Sequence, residues 1–208
     1  LYCLNFHSVN FIKTLSSYPQ VFAGKLLNSS TPTTVNPAQH HRDDRTSIFV
    51  SATFTTDELV QPLVFSARRT LAGGGAVVNL AGFNQTLQSL LDPSSLFYGA
   101  PLQGGGSGSI NVVLARPCDI ESKDMINALK TYNSSAVSTR PVVVIVCPQS
   151  PDKPGSNAWL QLPPAVLHCS KVTVITKTEI TRCVGDFETL NLFDTLADAE
   201  GAMPYTEE

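Results

Sequence analysis

The chain has 208 residues, 42% of them hydrophobic and 15% charged, with a formal net charge of -3 at neutral pH. That is enough apolar material for one core of ordinary domain size, and the slightly acidic balance excludes the clustered Lys/Arg field that nucleic-acid binding needs. No apolar run approaches the ~20 residues of a membrane-spanning helix, so neither nucleic acid nor membrane is expected as a partner.

Residues 1 to 45 read as a separate arm. Phe6, Val9, Phe11 and Ile12 lead into the run Asn28 to Pro37, rich in Ser, Thr, Pro and Asn, and then into His40-His41-Arg42-Asp43-Asp44-Arg45. That is linker composition. Adjacent His residues rarely converge on one ion, so the His pair beside two Asp reads as a solvated charged linker rather than a metal site. The chain opens Leu1-Tyr2-Cys3-Leu4, without an initiator Met or a signal-type h-region. The expectation is a segment of a longer cytoplasmic polypeptide. The five cysteines, Cys3, Cys118, Cys147, Cys169 and Cys183, form no CxxC and are odd in number, which favours reduced thiols. The Asn-x-Ser/Thr triplets at Asn28, Asn84 and Asn133 are ascribed to chance in a chain rich in these residues.

From residue 46 a βα rhythm begins. Ser47 to Phe54 predicts a strand, Thr55-Thr56-Asp57-Glu58 a helix cap with acids in the first turn, and Leu59, Leu63, Val64 and Leu71 a helix face. Pro62 marks a late start or a kink. Gly73-Gly74-Gly75 reads as a helix stop, since no Gly-Lys-Ser/Thr follows. A second strand, Ala76 to Ala81, passes through Gly82 into Phe83-Asn84-Gln85-Thr86-Leu87-Gln88-Ser89-Leu90-Leu91-Asp92-Pro93. Here Leu87, Leu90 and Leu91 predict one apolar helix face, and Pro93 ends the helix. Gly104 to Ser109 is a linker-like excursion before a third strand, Ile110 to Ala115. Asp119 to Tyr132 is helical in pattern. Pro141 to Cys147 is the most continuous apolar run and predicts a strand buried on both faces, inside a parallel sheet. Pro148 to Asn157 reads as loop, Trp159 to His168 as a short broken helix, and Lys171 to Thr176 as a fifth strand.

Five strands alternating with helices predict an α/β fold: a three-layer α/β/α sandwich on a mainly parallel five-stranded sheet, Rossmann-like or flavodoxin-like. Right-handed crossovers would bring Thr53 to Thr56, Asn84-Gln85, Arg116 to Cys118 and Cys147 to Gln149 to the carboxyl edge of that sheet. The candidate binding residues are therefore Thr53, Thr55, Asn84, Gln85, Gln88 and Cys147. Asn and Gln offer donors and an acceptor without charge, which suits gripping a carbonyl, a hydroxyl or a loop backbone. No catalytic constellation is complete: there is no Gly-x-Ser-x-Gly elbow, and His168 has no placed nucleophile or acid. Neither a metal site nor a cofactor is predicted, because no carboxylate or Cys/His cluster has ligand spacing.

Three stretches in order carry a resemblance: Ala52-Thr53-Phe54-Thr55 with Glu58-Leu59, then Phe83 to Leu96, then Ile110 to Arg116. They are similar to the amino-terminal region of FkbH-like proteins, the HAD-superfamily subfamily IIIC proteins also found inside non-ribosomal peptide and polyketide synthases. Val146-Cys147-Pro148-Gln149-Ser150-Pro151 resembles that region's strand-then-Cys-Pro turn, and Met203-Pro204-Tyr205-Thr206 its junction to the HAD domain. The resemblance covers roughly residues 46 to 208 and implies assembly-line loading, in which a glyceryl unit passes to a carrier-protein thiol. It departs from the pattern at Phe83, where the family has Tyr, and at Pro117-Cys118-Asp119-Ile120, where the family has a Trp-bearing stretch. This chain stops at Glu208, before any Asp-x-Asp-x-Thr motif. The organisation expected is an arm and linker over 1–45, an α/β domain over 46–185, and a linker over 186–208 leading to a downstream domain. The expected function is an accessory domain that positions an acyl or peptidyl carrier protein and contacts neighbouring domains of a larger polypeptide. The alternative is a stand-alone hydrolase or esterase of the SGNH type, which would need a Ser and a His converging on the carboxyl edge.

Overall fold

The computed structural model describes residues 46–70, 76–99, 108–147, 170–176 and 194–199. The runs rich in β-branched residues form five strands: β1 (Thr46–Ala52), β2 (Ala76–Leu80), β3 (Ser109–Ala115), β4 (Val142–Val146) and β5 (Val172–Ile175). Helices α1 (Val60–Thr70), α2 (Thr86–Leu91) and α3 (Ser122–Ser134) occupy the crossovers, and a short α4 (Thr195–Ala199) follows β5. Every pairing is parallel, and the strand order is β2-β1-β3-β4-β5. This is the flavodoxin-like order.

The strand order decides which face each helix covers. The step from β1 to β2 runs one way across the sheet, and the steps from β2 to β3 and from β3 to β4 run the other way. Right-handed crossovers then put α1 on one face and α2 with α3 on the opposite face. The pleat sorts the side chains accordingly. Ile48, Val50, Val112, Leu114, Val143 and Ile145 pack with Leu63 and Ala67 of α1. Phe49, Val113, Val142, Val144 and Val146 pack with Leu90 of α2 and Met125, Ala128 and Leu129 of α3. The three-layer α/β/α sandwich on a parallel sheet is the architecture observed. The run 142–146 is buried along its whole length and lies between β3 and β5, as its continuity predicts.

Several local expectations are corrected. The apolar face of α2 is not Leu87, Leu90 and Leu91: Leu91 is exposed, and Thr86, Ser89 and Leu90 are the buried members. Hydroxyls at Thr86 and Ser89 replace the third Leu because they bond to β1. The α3 helix starts at Ser122, not Asp119, because Asp119 turns back to Arg116 and Glu121 is extended. Thr56 makes no side-chain cap bond. A 3-10 turn at Asp57–Leu59 precedes α1 instead, so Pro62 falls in the helix's first turn, where its missing N–H costs nothing. Residues 195–199 are helical within the stretch expected to be linker. The arm over 1–45, the Gly73–Gly75 stop, most of the Gly104–Ser109 excursion, the Pro148–Asn157 loop, the Trp159–His168 helix and the domain limit at 185 lie outside the described residues.

A polar network pins the amino end of the sheet beneath the α3 layer. Asn111 in β3 is fully buried, and its Nδ2 donates to Phe97 O at 3.0 Å and to the Tyr132 hydroxyl at 2.8 Å. The Tyr132 hydroxyl donates to Arg140 O at 3.0 Å. Arg140 bonds to Leu96 O, and its guanidinium stacks 4.2 Å over the Phe49 ring. Tyr98 meets Tyr132 edge-on and donates to Leu90 O. The network thus fastens the turn after α2 to β1, β3 and the entry to β4. Among the described residues, Asn111 Oδ1 is a buried acceptor with no partner.

Two outcomes follow from this core. Val144 is fully buried, and an unpaired charge there costs several kcal/mol, comparable with a domain's whole stability. Val144→Asp is expected to give insoluble or non-cooperatively melting protein, and a soluble variant with a sharp thermal transition would contradict burial. Burial also pushes the Tyr132 hydroxyl up to about 12 from 10.0. The folded value lies above the unfolded one, so the stability linked to protonated Tyr132 is complete below pH 10 and is lost as pH rises towards 12. Tyr132→Phe is expected to be destabilised by about 1–3 kcal/mol and to show a flatter loss of stability over that window in denaturant titrations.

Candidate functional site

In a parallel sheet the strand carboxyl ends share one edge, and the crevice opens where neighbouring strands send their connections opposite ways. Here that switch lies between β1 and β3, since β1 leads to β2 and β3 to β4. The loops after them are Thr53–Thr56 and Arg116–Asp119, and the turn Gly82–Gln85 follows β2 on the same edge.

The switch is stitched shut from below. Thr53 N–H donates to Leu114 O at 3.1 Å, and Arg116 N–H donates to the Thr53 hydroxyl at 3.2 Å. The Arg116 guanidinium lies 5.5 Å from the centroid of the buried Phe54 ring, and its Nε donates to Asp119 Oδ2 at 2.6 Å. The Arg116 head is thus desolvated on one side and neutralised on the other. Cys118 Sγ donates to the other Asp119 oxygen at 3.4 Å. Its thiol is pushed up first by burial and then by the Asp119 charge, which keeps it protonated near neutral pH.

The turn after β2 is held differently. Ser89 Oγ donates to Ser51 Oγ at 3.3 Å, and the Ser51 and Thr86 hydroxyls are 3.4 Å apart, so α2 is fixed over β1 by three buried hydroxyls. Asn84 adopts φ 53, the left-handed region that Asn tolerates best after Gly. Gln85 N–H closes the turn on Gly82 O at 3.3 Å. A methyl group at Gly82 would lie 2.8 Å from Gln85 Cδ and Nε2, so only Gly lets that side chain fold back over the turn. Beyond α2, Asp92 accepts from Ser94 N–H and Oγ at 2.8 and 2.7 Å, which holds its carboxyl below the usual range and makes it a turn residue.

The six predicted residues therefore separate by burial. Asn84, Gln85 and Gln88 are exposed and follow β2 on the carboxyl edge, and Thr55 is half-buried on the loop after β1. Thr53 is buried, with its oxygen committed to Arg116, and Cys147 is buried against the α1-side core with Sγ 3.7 Å from Ile145 O. Neither presents a free face to a ligand. Phe83, 61% exposed, stands beside Asn84. Sequence reasoning missed the Arg116–Asp119 pair on Phe54 and the Ser51–Thr86–Ser89 cluster. The i,i+3 spacing of Arg and Asp was the signal for the first, and hydroxyls at i and i+3 in place of apolar residues were the signal for the second. Ser51 is sealed under α2 and Ser94 is bound to Asp92. His168 lies outside the described residues. Among the described residues no group of three His, Cys, Asp or Glu is placed to hold a metal ion, and no helix is long and apolar enough to cross a membrane. No family model, curated protein or solved structure matches the chain.

The Cys118 environment sets a measurable expectation. Peptide-resolved alkylation across pH should place the Cys118 midpoint above the ordinary 9.0. Asp119→Asn removes the neighbouring negative charge, so the midpoint should fall and alkylation at fixed pH should speed up. An unchanged or higher midpoint in that variant would contradict the pairing.

Proposed function

We propose that this chain is an accessory α/β domain of a modular biosynthetic enzyme, a binding and positioning module for an acyl or peptidyl carrier protein. The observation that carries this reading is the turn Phe83-Asn84-Gln85 with Gln88. It presents an exposed aromatic ring and neutral amides on a base held by the buried Ser51–Thr86–Ser89 cluster. Conserving side-chain freedom on such a base is unnecessary, and a rigid support is what a docking turn needs. The partner class rests on the resemblance of residues 83 to 96 to FkbH-like amino-terminal regions. In this reading Gln85 contacts the partner, Asn84 shapes the turn, and the closed Arg116–Phe54 plug is structural.

The two amides are expected to separate in a paired experiment. Gln85→Ala should leave the thermal transition near wild type and weaken carrier-protein binding by about fivefold, the loss of one hydrogen bond of roughly 1 kcal/mol. Asn84→Ala puts a residue without a local hydrogen-bonding side chain at φ 53 and should cost about 1 kcal/mol of stability, whereas Asn84→Gly should melt near wild type. Absence of carrier-protein binding by the wild-type chain, or unchanged affinity in Gln85→Ala, would remove the proposal.

A further inference from the structure

We draw no further inference here: the strongest candidate, the apolar side chains of Phe83, Leu91 and Leu96 exposed along α2 and the turns that flank it while Thr86 and Ser89 are buried, is a surface for which nothing in the structure shows what covers it.

Discussion

The contact between β1 and β3 is the constraint on which the remaining arrangement rests. These strands are separated in sequence by a helix, a whole strand and a second helix, yet they pair along six residues, from Ser47 with Ser109 to Ala52 with Leu114. Once β3 lies against one side of β1 and β2 against the other, the hand of the crossovers assigns α1 to one face and α2 and α3 to the opposite one. The same pairing fixes the position of the switch point and the three loops that share its edge. The hydrogen bonds of Thr53 and Arg116 beyond the last ladder pair extend this contact into the loops. At this switch point, where doubly wound folds commonly bind ligands, these bonds tie the bases of the two loops together.

Polar groups do complementary work at the two ends of the sheet. At the amino end Asn111, Tyr132 and Arg140 tether a loop that would otherwise have carbonyls buried without donors. Near the carboxyl end Ser51, Thr86 and Ser89 hold α2 to β1 with short hydroxyls, which let the helix approach more closely than Leu side chains would. The cost of the first network is a buried Asn111 oxygen without a described partner. Apolar residues at these positions would spare the desolvation, but they would leave the carbonyls of Phe97 and Arg140 without side-chain donors.

Much of the fold was legible because burial on both faces leaves a direct trace. Val142 to Val146 has no polar residue to alternate with, and its interior position follows. The strand limits erred by a residue or two, since ladders end where side chains take over the backbone bonds, as at Thr53. Helix starts were less legible. Asp119 lies in a helical pattern but is drawn to Arg116, a contact decided by the packing of Arg116 on Phe54. The α2 face misled because Ser89 and Thr86 look like surface residues until Ser51 is known to lie opposite them. Of the candidate site, the shared edge was readable from the βα rhythm. Which residues face outward was not, because Thr53 and Thr55 are alike in sequence and differ only in what lies beneath them.

The fold-back of Gln85 over Gly82 bears on the freedom of its side chain. A glutamine on an open surface samples many rotamers, and arresting it on binding forfeits roughly 0.5–1.5 kcal/mol of entropy. Here the absent Cβ at Gly82 leaves room for the amide over the turn, a position that a side chain at 82 would deny it. A bulkier residue at position 82 would push the amide into another rotamer without altering a single atom of the glutamine itself.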